Sequence, residues 1–240
     1  MIDPLARSQI SLVLLPGMDG TGVLFAPLIA ALGPDYRVVV VTYPTHEPLG
    51  YEALLPIARA ALPEDGPFIL LGESFSGPIA IALAAERPAQ LRALVLCCTF
   101  VRNPRPWLGG LRTLMGLLSF GPPPVGALSF ALLGRFATAA LREALARAVA
   151  SVSPATMRAR LRAVINVDVS AQLQQVDVPC LYLRAAHDRL VPAAAARLMA
   201  SLQPAVRIET IDAPHCLLQV APNAAASVVS TFIARLEAPT

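Results

Sequence analysis

Phe68-Ile69-Leu70-Leu71-Gly72-Glu73-Ser74-Phe75-Ser76-Gly77 is the stretch on which the fold turns. Its first four residues are bulky and apolar, as in a strand buried on both faces. A serine between small residues follows, and a helical pattern rich in alanine and leucine begins at once over residues 75–86. At a strand-to-helix turn, small-x-Ser-x-small lets the serine take a strained backbone conformation with Oγ above the sheet. Bulky flanking residues would clash with neighbouring backbone there. The same turn puts the Phe75 N–H at a helix N-terminus, where it can stabilise a developing oxyanion. The residues from Gly72 to Gly77 alone would also suit an ordinary Gly/Ser turn. The strand before them and the helix after them favour a nucleophile at Ser74.

Outward from this turn, short apolar runs alternate with longer helical ones. Strands are expected over residues 10–15, 37–42, 68–71, 91–97, 180–184 and 206–211, each nearly continuously apolar. Helices are expected over 24–32, 51–62, 75–86, 193–202 and 224–236, three of them followed by Pro63, Pro88 or Pro204. The alternation predicts an α/β fold with a mostly parallel, doubly wound sheet. It is interrupted once, by a helical, arginine-rich insertion after the strand ending near Cys97. The expected division is a core of residues 1–98 and 169–240 with a helical cap, or lid, over 99–168.

With these residues in place the sequence resembles the α/β-hydrolase superfamily, across essentially the whole chain. The resemblance implies a triad in the order Ser, acid, His, each on a loop at a strand's carboxyl end. Asp188, in Asp188-Arg189-Leu190-Val191-Pro192, matches the family's D-x-L-V-P acid loop, and His215, in Asp212-Ala213-Pro214-His215, stands where the base is expected. The loop Pro16-Gly17-Met18 fits the oxyanion position, making the Met18 N–H the partner of the Phe75 N–H. The loop is not in the G-x-G-x-x-G order, and there is no Lys-Ser/Thr of a phosphate loop, so a dinucleotide site is disfavoured. Departures from the family pattern are Ser76 where glycine is usual, Glu73 beside the nucleophile, and fewer than ten residues before the first strand. His46, which breaks the triad order, reads as a candidate to line the pocket, His187 as a loop residue, Asp168 as a lesser alternative to Asp188, and Ser76 as a small residue of the turn.

The 240 residues are 55% apolar and 15% charged, with a mean hydropathy of +0.60, which excludes disordered, collagen-like and disulfide-stapled classes. All 19 basic residues are arginine, and the total charge is only +3, too mild to imply nucleic acid. Nine of them (Arg102, Arg105, Arg112, Arg135, Arg142, Arg147, Arg158, Arg160 and Arg162) fall between Phe100 and Ile165 against Glu143 alone. They could form a cationic outer surface for an acidic partner or simply a solvated helix face. Cys97, Cys98, Cys180 and Cys216 show no metal or redox spacing and read as buried thiols, and the N-terminus lacks a secretory pattern, so a cytoplasmic protein without metal or cofactor is expected. The uncharged run 113–134 is broken by Pro122-Pro123-Pro124, against a stable membrane span.

The insertion carries an apolar stripe, from which Trp107, Leu111, Met115 and Leu118 are the candidate contacts for an acyl or alkyl group. The expectation is a serine carboxylesterase acting on small to medium acyl esters through an acyl-enzyme. The small capped pimeloyl-acyl-carrier-protein methyl ester esterases are similar in size, cap, the Gln172–Pro179 lead-in and the acid loop. This resemblance implies a second reading, an ester or thioester hydrolase whose acidic acyl carrier protein docks on the cap arginines. A third is a non-catalytic ligand-binding protein on the same fold.

Overall fold

The computed structural model describes residues 10–106 and 125–236. Six strands, β1 (Ser11–Leu15), β2 (Arg37–Val40), β3 (Phe68–Glu73), β4 (Leu91–Cys97), β5 (Cys180–Ala185) and β6 (Arg207–Ile211), form one parallel sheet in the order β2-β1-β3-β4-β5-β6. The chain therefore moves from β1 outward to β2 and returns to the other side of β1. This reversal opens a crevice at the carboxyl ends of β1 and β3, the usual ligand position in such sheets.

Strand periodicity explains the two cores. Val13, Leu15, Leu70, Leu94, Leu96 and Tyr182 face one layer, while Leu12, Leu14, Ile69, Leu71, Val95 and Leu183 face the other. The first layer is closed by α2 (Tyr51–Ala60) and α3 (Gly77–Ala85), the second by α1 (Ala26–Leu32), α9 (Leu217–Val220) and α10 (Pro222–Leu236). Helix α3 is buried nearly all round, which accounts for its Ile-Ala-Ile-Ala-Leu-Ala-Ala sequence without an amphipathic stripe. Helix α8 (Ala193–Leu202) adds Ala195, Ala196 and Met199 to the first layer.

The described part of the stretch between β4 and β5 contains α4 (Val125–Leu132), α5 (Ala139–Ala150), α6 (Pro154–Asn166) and α7 (Ser170–Gln175). Val169 N–H donates to Val101 O, Arg102 and Asp168 form an isolated antiparallel bridge, and their side chains pair at 3.4 Å. The chain thus leaves and re-enters the core through one neck. Of the uncharged run 113–134, the part up to Pro124 lies outside the described residues, and α4 is eight residues long. Among the described residues no helix is long and apolar enough to cross a membrane.

The strand expected over 37–42 ends at Val40, because Tyr43 N–H turns aside to donate to Gly20 O at 2.7 Å. The helix expected from Phe75 begins as a 3₁₀ turn over Ser74–Ser76, and the α-helix follows from Gly77. The last helix begins at Pro222, two residues before the expected start, with proline in the first turn.

Candidate active site

Ser74 follows the last residue of β3 with φ of 49°, a left-handed conformation that non-glycine residues seldom adopt. Two glycines make this elbow possible. A Cβ on Gly72 would stand 2.7 Å from Ala80 Cβ and 3.0 Å from Ser76 O, and one on Gly77 would overlap the Thr99 side chain. Thr99 in turn donates its hydroxyl to Ser74 O and accepts at its own carbonyl from Tyr182 O–H at 3.0 Å. Strain at the serine is thus held by packing on two strands.

Asp188 and His215 arrive from the ends of β5 and β6. The N–H groups of Leu190 and Val191 donate to Asp188 Oδ1, each at 2.8 Å, which fixes the carboxylate and explains the compact Asp-x-Leu-Val-Pro turn. Its other oxygen, Oδ2, accepts from His215 Nδ1 at 2.8 Å. That bond requires the proton on Nδ1, so Nε2 is the free base and accepts from Ser74 Oγ–H at 2.8 Å. Both partners of the Asp188–His215 pair are almost fully buried, with side chains 5% and 7% exposed. Low local dielectric strengthens the attraction between the Asp188 carboxylate and an imidazolium formed during turnover.

Ser74, Asp188 and His215 are therefore brought together as the sequence led us to expect, and Phe75 occupies the elbow position assigned to it, its ring stacked on Tyr51 at 4.7 Å between centroids. Met18 lies on the loop after β1, where Gly20 N–H closes a turn onto Gly17 O at 3.0 Å. Trp107, Leu111, Met115 and Leu118 lie outside the described residues. His46 is exposed. His187 is bonded to Asp212 at 2.7 Å and faces Arg135 at 3.0 Å. Asp168 is engaged at the neck with Arg102 and the Ser170 N–H.

The roles of three supporting residues escaped the sequence reading. Ser76, fully buried, donates its hydroxyl to Pro16 O and accepts from Tyr43 O–H at 3.0 Å, so it ties the elbow to the loop after β1. Its presence where glycine is usual was the available signal. Glu73 is buried beneath the same loop, 3.9 Å from where a Cβ on Gly17 would stand, and accepts from Gln219 Nε2 at 3.0 Å. Burial pushes its carboxyl up to about 7, with the Gln219 bond pulling the other way.

The third is Arg160. Rather than lying on a cationic outer surface with the other insertion arginines, it is fully buried and donates to Met18 O at 2.8 Å and Pro44 O at 2.9 Å. This corrects the expectation of an outward face for that residue. Spacing explains it: at 100° per residue, Arg158 and Arg162 share one face of α6 while Arg160 points nearly opposite. Arg158 and Arg162 line an open groove of about 570 Å³ with Pro48, Gly50 and Asn166, away from the triad. Among the described residues there is no cluster of three or more His, Cys, Asp or Glu side chains arranged to hold a metal.

A strained serine elbow at the crevice of a six-stranded parallel sheet, with a buried His–Asp pair reaching it from the ends of β5 and β6, defines an α/β-hydrolase fold. The sequence matches the alpha/beta hydrolase family over residues 12–228, and the chain belongs to that family. It is 29% identical over 230 residues to a pimeloyl-[acyl-carrier protein] methyl ester esterase of Xanthomonas oryzae pv. oryzae, covering 84% of this chain and 85% of that one. It is 34% identical over 130 residues to the chloroplastic phytyl ester synthase 1 of Arabidopsis thaliana, covering 50% of this chain but only 18% of the plant protein. Among solved structures, a lipase-esterase related protein from Clostridium acetobutylicum superimposes with a TM-score of 0.79 at 16% identity, over 94% of this chain and 95% of that one.

Proposed function

We propose that Ser74, His215 and Asp188 are the nucleophile, base and orienting acid of a serine esterase, with the N–H groups of Met18 and Phe75 as its oxyanion hole. The chain is an ester-hydrolysing enzyme of the α/β-hydrolase family. The observation that carries the residue assignment is the unbroken relay of two 2.8 Å bonds from Ser74 Oγ through His215 to Asp188.

The chemistry follows from the protonation states that the geometry requires. His215 Nε2 takes the Ser74 proton as Oγ attacks the ester carbonyl, Asp188 holds the resulting imidazolium, and the oxyanion is bound by the two N–H groups. His215 then gives its proton to the departing alkoxide. Water, deprotonated by the same imidazole, attacks the acyl-enzyme, and the acid leaves with Ser74 reprotonated. Residues 99–168 act as a cap over the acyl chain, and Trp107, Leu111, Met115 and Leu118 are assigned to contact it. The four cysteines are free and buried, in keeping with a reducing, cytoplasmic setting.

Hydrolysis of p-nitrophenyl esters from two to sixteen carbons by wild type and Ser74→Ala tests the assignment. Loss of activity in the variant is expected, and the chain-length optimum sizes the pocket. Wild-type levels in Ser74→Ala would refute the assignment.

A second reading, supported by the esterase relatives that cover most of this chain and by the groove carrying Arg158 and Arg162, is a carrier-bound ester or thioester as substrate. A small acidic acyl carrier protein would then dock on the cap. The relay speaks against a purely ligand-binding protein, which has no use for a strained serine.

A further inference from the structure

Three consecutive carbonyls of the oxyanion loop are each held by a different donor. Ser76 Oγ–H holds Pro16 O, the Gly20 N–H holds Gly17 O at 3.0 Å, and Arg160 Nη1–H holds Met18 O at 2.8 Å. Gly17 C=O and Met18 N–H belong to one planar peptide unit, so the direction of the Met18 N–H is set once Gly17 O is held. That plane can still swing about its two flanking Cα atoms unless its neighbours are fixed. Pro16 O fixes the plane before it, and Met18 O fixes the plane after it.

We propose that Arg160 is the positioning residue of the oxyanion hole, a side chain from α6 that sets the aim of the Met18 N–H. The inference rests on the serine-esterase reading and deepens it. Several features make the arrangement look built for this. Arg160 is fully buried, and its second nitrogen, Nη2, reaches Pro44 O at 2.9 Å, so the guanidinium fork spans two loops that meet at the site. Gly20, with φ of +72°, leaves room for it: a Cβ there would stand 2.6 Å from Nη1. Burial works against its charge and buried Asp19 offsets that in part; the guanidinium lies 5.8 Å over the Tyr43 ring, while Asp19 itself is occupied by the Thr21 N–H and hydroxyl.

The helix that carries Arg160 is itself anchored to the core. Ser153 N–H donates to Thr45 O at 2.9 Å and Ser153 caps α6 by accepting from Thr156 N–H. Val164 of the same helix is buried in the core beside α2 and α3. The insertion therefore acts on the transition-state site through the Met18 peptide, by one donor 142 residues downstream of the carbonyl it holds.

The test uses Arg160→Gln and Arg160→Lys, with Ser74→Ala alongside. Complete loss of one oxyanion donor costs about 10²–10³ in turnover, so a misaimed one should cost about 10–10² in kcat while KM changes less than threefold. The lysine variant keeps the charge but holds one carbonyl instead of two, and its kcat should fall between wild type and the glutamine variant. Affinity for a trifluoromethyl ketone, whose hemiketal oxyanion uses the same hole, should fall in parallel with kcat. A merely structural role would lower the unfolding temperature and leave the kcat-to-KM split and the ketone affinity unmoved. A folded Arg160→Gln enzyme with kcat within twofold of wild type overturns the proposal. Should the glutamine variant fail to fold, an Arg160→Lys enzyme with kcat and ketone affinity within twofold of wild type overturns it equally. If Ser74→Ala keeps wild-type activity, the esterase assignment fails as well, a result independent of what the Arg160 variants do.

Discussion

Replacing Glu73 by glutamine should change how stability depends on pH. In the fold this carboxyl is fully enclosed, and burial pushes it up to about 7 from an ordinary 4.5, against the pull of Gln219 and of His215. A raised carboxyl binds its proton more tightly in the native state than in the unfolded chain. Between pH 4.5 and 7 the native state therefore holds the extra proton, and stability falls as pH rises through that window and levels off above it. At about 1.4 kcal/mol per pH unit the loss comes to about 3 kcal/mol. Glutamine is nearly isosteric, keeps a carbonyl to accept from Gln219 Nε2, and has no proton to lose. Relative to wild type, Glu73→Gln should thus gain stability from pH 4.5 to 8, by about 3 kcal/mol or about 6–12 °C in Tm for a domain of this size. Urea or thermal unfolding of both proteins from pH 4.5 to 9 measures it. A difference between the two that stays constant with pH would mean that Glu73 is ionised throughout, and the burial argument would be wrong.

Other substitutions address separate parts of the site. Asp188→Asn should leave the fold intact but lower kcat by about 10⁴, because the amide no longer enforces the Nδ1–H tautomer; kcat within tenfold of wild type would remove Asp188 from the relay. Gly77→Ala places a methyl group inside Thr99 and should destabilise by more than about 3 kcal/mol or abolish folding, read by denaturant unfolding. Ser76→Ala leaves buried Pro16 O without its donor and Tyr43 without its acceptor, and should cost about 1–3 kcal/mol in the same assay. Arg158→Glu with Arg162→Glu should slow turnover of an acyl ester carried on an acidic carrier protein while leaving a p-nitrophenyl ester unchanged; equal effects on both would dismiss the carrier reading.

The order of strands and helices was legible because each buried strand is a short apolar run and several helices are closed by a following proline or glycine, as at Gly33, Pro63, Pro88 and Pro204. The elbow was legible because its requirements are local: two small residues, a strand before and a helix after. Asp188 and His215 could be placed only through the family's order of loops, since their partners lie 27 and 141 residues away. The ends of elements were less legible where a tertiary bond decides them, as when Tyr43 leaves the sheet for Gly20 O. Glu73 could be seen as unusual but not explained, because its meaning depends on Gln219 and Gly17, which the fold alone brings to it.

The charge of the insertion gives the clearest case of a property that composition reports and structure reinterprets. Nine arginines against one glutamate suggested a cationic exterior, yet several of them are directed at backbone and side-chain acceptors of the core. Arg105 donates to Arg189 O and Leu190 O in the acid loop, Arg135 to Asp212 just before His215, and Arg160 to Met18 O. Arg189 of the acid loop answers in the other direction, donating to Phe130 O at 2.8 Å with its guanidinium 4.0 Å over the Phe130 ring. A guanidinium suits this task because it is always charged and its fork reaches two acceptors at once. The loops that carry Met18, Asp188 and His215 are thus each tied to the insertion by an arginine contact, whereas the Ser74 elbow is held by Thr99 and Ser76. The charge left facing outward is narrower than the sequence implied. Arg158 and Arg162, turned away from Arg160 on the same helix, line an open groove. Arg102, Arg142 and Arg147 are exposed as well, the first paired with Asp168 and the last with Glu143. The two-residue charge reversal therefore tests the groove face alone, apart from the arginines that brace the site.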